Sequence, residues 1–115
     1  MPVTIYHNPK CSKSRQALQL LRDRGIEPRI VQYLKTPPDA TTLETLLRKL
    51  GKRPRDLLRR KEAAYGELGL ADSGLDDAAL IRAMVENPIL IERPIVVHGT
   101  KAALGRPPEE VLKIL

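Results

Sequence analysis

Val3-Thr4-Ile5-Tyr6-His7-Asn8-Pro9-Lys10-Cys11-Ser12-Lys13-Ser14-Arg15 is the stretch in which this chain changes its period. Val3–Tyr6 reads as a short buried strand, whereas Ala17, Leu18, Leu20 and Leu21 form a helical stripe that ends near Gly25, a residue suited to a left-handed cap. Between strand and helix lies the chain's one cysteine, Cys11. Backbone N–H groups converge where a helix starts, and cationic side chains stand close by in sequence, so the thiol is well placed to ionise. A lone cysteine has no internal partner, and any redox cycle must take its second thiol from another molecule.

Working outward, Arg29-Ile30-Val31-Gln32-Tyr33-Leu34 reads as a second strand. With a helix between them, the two strands should lie parallel through a right-handed crossover. Pro37 and Pro38 break the pattern. Thr41 and Glu44 are then spaced as a capping box before Leu43, Leu46, Leu47 and Leu50, and Gly51 closes that helix. These leucines read as core rather than partner surface. Pro54 starts a short helix with Leu57 and Leu58, and a further helix with Ala79, Leu80, Ala83 and Met84 on one face stops at Asn87-Pro88. Ile95-Val96-Val97 and the stretch from Lys101 to Leu104 form a hairpin across Gly99-Thr100. A last helix follows Pro107-Pro108, with Val111, Leu112 and Leu115 inward.

At 115 residues and 42% hydrophobic, the chain fits one domain, 1–115, with a modest core. It has no long apolar run, and its first residues lack the pattern of a secretory signal. A cytoplasmic location and no membrane association are therefore expected. The net charge of +6 suits an anionic partner. Nucleic acid is not expected, because Tyr6, Tyr33 and Tyr65 are the only aromatic residues and single-strand readers stack bases on such rings. His7 and His98 have no ligand spacing around them, so no metal site is expected, and there is no glycine-rich nucleotide loop.

The order β-α-β, helices, β-β-α is that of an α/β thioredoxin-like (glutaredoxin-like) fold, a mixed four-stranded sheet with a helical insertion. Four motifs make the likeness specific: His7-Asn8-Pro9-x-Cys11-x-x-Ser14-Arg15, Leu57-Leu58-Arg59, Glu92-Arg93-Pro94-Ile95-Val96-Val97 and Gly105-Arg106-Pro107. In these the chain resembles the ArsC family of glutaredoxin-coupled arsenate reductases, in its shorter branch. Well-studied members extend further than Leu115, so a C-terminal segment is expected to be missing here.

The resemblance implies that Cys11 is the nucleophile and that Arg59, Arg93 and Arg106 bind the substrate oxyanion. Guanidinium forks match paired oxygens better than ammonium groups do. It also implies that His7 favours the thiolate, that Ser14 and Arg15 shape the loop or support the anion, and that Asn8 and Pro94 are structural at the site. Pro94 falls where thioredoxin-like folds carry a cis bond facing the cysteine. No bound cofactor is expected; glutathione is the implied co-substrate, glutaredoxin the implied partner, and a monomer the expected state. The residues alone also permit blander roles: Cys11 as a small buried hydrophobe, His7 as a filler of the strand end, Arg15 or Arg59 on a solvated face. Two other functions fit the same fold. The Spx regulators, which bind RNA polymerase, resemble it too but carry Cys-x-x-Cys where this chain has Cys11-Ser12-Lys13-Ser14. A monothiol glutaredoxin-like exchange protein needs only Cys11.

Overall fold

The structure, a computed structural model, describes residues 2–115. It divides into two compact units, one holding the chain up to Thr36 together with Arg93–Leu115, the other Pro37–Glu92.

In the first unit, β1 (Val3–Tyr6) buries Val3 and Ile5 and leaves Thr4 and Tyr6 half-buried, the alternation of a strand with one face on the core. The helix α1 (Ser12–Asp23) buries Ser14, Ala17, Leu18 and Leu21, the i, i+3, i+4, i+7 set of one helical face; Leu20 falls beside that stripe and is only half-buried. Gly25 takes φ +76 after the last turn. Its N–H bonds the Arg22 carbonyl and the Ile26 N–H bonds that of Leu21, a Schellman closure that turns Ile26 back onto the core.

The strand β2 (Arg29–Val31) is shorter than expected. The Gln32 carbonyl accepts from the N–H groups of Lys35 and Thr36, both at 2.9 Å, and this turn ends the ladder three residues before Leu34. Tyr33 is buried from within the turn while Leu34 is 41% exposed.

β1 pairs parallel with β2, Ile5 opposite Ile30, and antiparallel with β3 (Ile95–His98), Ile5 opposite Val96; β3 forms a hairpin with β4 (Lys101–Leu104). The mixed four-stranded sheet has the order β2-β1-β3-β4. The chain then ends in a 3-10 helix, Pro108–Ile114, not in the expected α-helix. Its bonds run from i to i+3, as from the Glu110 N–H to the Pro107 carbonyl. Three residues per turn put Pro108, Val111 and Ile114 in line, which is why Ile114 packs on the core and Leu115 is exposed, the reverse of the α-helical expectation. Val3, Ile5, Ala17, Leu18, Leu21, Val96 and Val111 form the core of this unit.

The second unit is the helical insertion: α2 (Ala40–Leu50), α3 (Pro54–Leu57), α4 (Ala63–Glu67) and α5 (Asp77–Glu86), followed by a 3-10 turn, Pro88–Leu90. Helix α2 is capped by Asp39, whose carboxylate accepts from the Thr42 N–H at 2.8 Å, so the Thr41–Glu44 capping box does not form. Leu43, Leu46 and Leu47 pack toward α5, which buries Leu80, Ile81 and Met84; Leu50, Ala79 and Ala83 lie at the margin, half-buried. Leu58 and Ile91 form an isolated antiparallel bridge that ties the residue after α3 to the end of the insertion. No helix among the described residues is long and apolar enough to cross a membrane.

Candidate active site

Cys11 is the N-cap of α1, in extended conformation (φ −93, ψ 123). Its carbonyl accepts the Arg15 N–H at 3.0 Å and its own N–H bonds the Asn8 carbonyl at 3.0 Å, so the residue is held from both sides. The sulfur is mostly buried, with 8% of the residue exposed. Burial pushes the thiol pKa up, but the Ser14 amide, the Arg93 charge, the Lys13 amide and the Arg106 charge together outweigh it and bring it below the ordinary thiol value. The sulfur makes no full cap hydrogen bond. The helix-start amides act on it through their aligned dipoles.

The Arg106 guanidinium stands beside the thiol, its Nη2 3.9 Å from Cys11 Sγ. Its Nε donates to the Arg93 carbonyl at 2.9 Å, so one arginine backbone aims the fork of the other. Both Arg93-Pro94 and Arg106-Pro107 are cis; the second was not anticipated. Pro94 is fully buried, and Gly105 fits against it: a Cβ on Gly105 would lie 2.7 Å from Pro94 Cγ. The Gly105 N–H also bonds the Pro94 carbonyl at 2.8 Å. The two arginine motifs, with Arg93 and Arg106 thirteen residues apart in the chain, thus meet through a contact that only glycine permits.

Beneath the cysteine loop, Ser14 is fully buried. Its Oγ lies 2.6 Å from His7 Nδ1 and accepts the Asn8 N–H at 3.0 Å. Burial, then Arg22 and Arg15, depress the His7 pKa, so the ring is neutral near pH 7. The Ser14 hydroxyl has no other acceptor among the described residues; its proton goes to Nδ1, which assigns the ring proton to Nε2. Asn8 Oδ1 accepts the Lys10 N–H at 3.0 Å, and the exposed Arg15 donates from Nη1 to the Pro9 carbonyl at 2.9 Å. His7, Asn8, Ser14 and Arg15 therefore hold the loop that presents the sulfur.

Arg59 belongs to the helical unit. Its N–H bonds the Leu90 carbonyl at 2.8 Å, its Nη1 the Ile89 carbonyl at 3.3 Å, and its Nη2 is 2.7 Å from Glu62 Oε1. The ion pair is partly sheltered, with side-chain exposures of 19% and 24%. Glu62 was missed by the sequence reading, although its i, i+3 spacing from Arg59 was a usable signal. Among the described residues no group of three His, Cys, Asp or Glu side chains is placed to hold a metal ion.

The model of the ArsC family matches residues 6–114. The chain belongs to the ArsC family. It is 60% identical over 114 residues to the uncharacterized protein YfgD of Escherichia coli (strain K12), covering 98% of this chain and 96% of that one. It is 49% identical to an arsenate reductase of Neisseria meningitidis serogroup B (strain ATCC BAA-335 / MC58), again over 98% of this chain and 97% of that one. A solved structure named arsenate reductase, from Vibrio cholerae, superposes with a TM-score of 0.97 at 54% identity, covering 100% of this chain and 98% of that one. The ArsC-family sheet with its thioredoxin-like topology is thus the scaffold on which Cys11, Arg93 and Arg106 come together.

Proposed function

We propose that this ArsC-family protein is an arsenate reductase in which the Cys11 thiolate attacks arsenic. The observation that carries the reading is the Arg106 guanidinium 3.9 Å from a sulfur whose pKa is held low at a helix start. A thiolate beside a guanidinium fork offers a nucleophile and an anion receptor side by side. Relatives named arsenate reductase give the oxyanion its identity.

The Cys11 sulfur forms a bond to As(V), and one oxygen leaves as water after protonation. Arg106 and Arg93 neutralise the oxyanion's charge during the attack; Arg59 is assigned the same task from its motif position. Glutathione thiolate then attacks the Cys11 sulfur. The sulfur–arsenic bonding pair stays with arsenic, which departs as As(III), arsenite, while the two sulfurs are oxidised to a mixed disulfide. Glutaredoxin reduces that disulfide and restores the Cys11 thiolate. His7, Asn8, Ser14 and Arg15 position the loop and take no part in the bond changes. No prosthetic group enters the cycle, and the protein acts as a cytoplasmic monomer.

The test is arsenite formation from arsenate with glutathione and glutaredoxin supplied. Turnover should require all three and fall to the uncatalysed background in Cys11→Ser, which also loses alkylation by iodoacetamide. A folded wild-type protein that forms no arsenite in the complete mixture would overturn the proposal.

A further inference from the structure

Before Asp23 the chain has four basic side chains, Lys10, Lys13, Arg15 and Arg22, and no acidic one. The sheet unit as a whole carries 11 basic and 4 acidic residues against 9 and 10 in the helical unit, so the positive excess of this protein resides in the unit that holds Cys11. The four cations are not equivalent. Arg15 is bound to the Pro9 carbonyl, and Arg22 pairs with Glu27. Lys10, immediately before Cys11, and Lys13, two residues after it, are exposed, and their side chains have no hydrogen-bond or ion-pair partner among the described residues. Local structure explains neither. Lys13 lies in the first turn of α1, whose positive end favours acidic residues, and that turn holds none. Lys10 enters the loop through its backbone, whose N–H is held by Asn8 Oδ1, and the side-chain bonds that shape the loop come from His7, Asn8, Ser14 and Arg15. The thiol itself is lowered by the charges of Arg93 and Arg106, and by Lys13 through its backbone amide. The two ammonium groups are left to act outward.

We infer that Lys10 and Lys13 form an outer cationic pair that selects anionic electrophiles over neutral ones at Cys11. The inference rests on the proposed function only in naming the natural electrophile, the oxyanion; the selection itself belongs to the loop. Chain connectivity keeps the Cα atoms of both lysines within about 8 Å of that of Cys11, less than the Debye length of ~10 Å at 0.1 M salt. Two unpaired charges at that range raise the local concentration of an approaching anion and leave that of an uncharged molecule as it is. An ammonium group on a flexible stem is a strongly hydrated point charge, suited to attraction at a distance, whereas a guanidinium fork binds oxygens in contact. The anion is thus selected twice, by the field of Lys10 and Lys13 on approach and by Arg93 and Arg106 on arrival.

The test alkylates the full chain with iodoacetate, an anion, and with iodoacetamide, its neutral counterpart, at a pH above the Cys11 alkylation midpoint, so that both reagents meet the same thiolate. In Lys10→Gln with Lys13→Gln, the iodoacetate rate constant should fall about fivefold at ~0.01 M salt, where the Debye length is ~30 Å. The iodoacetamide rate should stay within about twofold of wild type, and the midpoint should not move, because the pair acts on the reagent and not on the thiol. Lys10→Arg with Lys13→Arg keeps the charge and should keep the ratio of the two rates. Arg24→Gln with Lys101→Gln is the control. It removes two exposed cations remote from the loop: Arg24 follows the last turn of α1, and Lys101 pairs with His98, which lies opposite Val3 at the start of β1. Its ratio should match that of wild type, and ~0.5 M salt should abolish the difference between wild type and the lysine variant. In turnover, kcat/KM for arsenate should fall in the lysine variant by the factor seen with iodoacetate, the loss falling on KM. An unchanged ratio, an equal loss in the control, a parallel loss with iodoacetamide, or a shifted midpoint would each overturn the inference. Because the ratio is read without arsenate, failure of the arsenate reading has its own signature: wild-type protein that forms no arsenite while the ratio still responds to the lysines.

Discussion

The two units of this protein use positive charge in opposite ways. In the sheet unit, a few cations are tied to specific atoms of the cysteine loop or its surroundings: Arg106 to Cys11 Sγ and the Arg93 carbonyl, Arg15 to the Pro9 carbonyl. In the helical unit cations are dense and mostly solvated, and Arg59 is held among Glu62 and the carbonyl of Ile89. A guanidinium fixed a few ångströms from a mostly buried sulfur alters its chemistry, whereas a solvated one contributes mainly to a long-range field. Where a charge is pinned decides more than how many there are.

Breaking the pinned pair should give the largest effect after loss of the thiol itself. Arg106→Ala removes a cation 3.9 Å from the sulfur and an oxyanion donor, so kcat/KM for arsenate should fall about 10²-fold. The thiol pKa should also move up toward its ordinary value, read as the midpoint of the pH dependence of Cys11 alkylation, because a cation favours the thiolate and its loss favours the thiol. Arg106→Lys should restore part of the pKa and less of the turnover, since an ammonium group keeps the charge but neither the fork nor the Nε bond to the Arg93 carbonyl. An alkylation midpoint unmoved by Arg106→Ala would mean that the helix start alone sets the thiol, and would dissolve the contrast between the units.

Ser14 sharpens the same comparison from beneath the loop. Ser14→Ala leaves the buried His7 Nδ1 and the Asn8 N–H without their partner, at a cost of ~1–3 kcal/mol in stability. The backbone amide of residue 14 persists, so the alkylation midpoint should move much less than in Arg106→Ala. A large pKa shift with little loss of Tm would instead make the hydroxyl part of the thiol's own electrostatics. The neutral ring adds a pH signature. The folded His7 pKa is depressed below its ordinary value of 6.5, so the unfolded chain takes up a proton first as the pH falls. The stability from the neutral ring is present above that value and is lost as the pH drops through the folded one. Tm should decline on acidification below about pH 6.5, and His7→Gln should flatten that decline.

Local pattern carried much of this architecture. The change of period around Cys11, the glycine closing α1 and the β-branched run of β3 each report a backbone preference that needs no distant partner, and all three elements lie where expected. Arg93, Pro94 and Arg106 were legible only through motif order, because nothing local says that residues so far from Cys11 return to it. What escaped was set by contacts or by competition between neighbours. The Gln32 turn cut β2 short, and the tighter winding of the last helix exchanged Ile114 for Leu115 at the core. The hold of Glu62 on Arg59 depends on how the loop after α3 folds.

The cap of α2 shows such a competition at its simplest, and supplies the smallest expected effect. Thr41 and Glu44 have the spacing of a capping box, yet Asp39 stands two residues earlier, right after Pro37 and Pro38, in the extended conformation of an N-cap. A carboxylate at that position accepts the Thr42 N–H and also answers the positive end of the helix, whereas a threonine hydroxyl offers only the first. The Thr42 amide in turn holds the Asp39 carboxyl below its ordinary pKa. Asp39→Ala should lower Tm by a few degrees, Asp39→Asn should recover most of it, and Thr41→Ala should change it least. All three should leave the Cys11 alkylation midpoint where it is, since the cap lies in the unit whose charges do not set the thiol. A shift of that midpoint in Asp39→Ala would show that the helical unit reaches the sulfur's electrostatics after all, and that the division of labour drawn between pinned and solvated charge is too sharp.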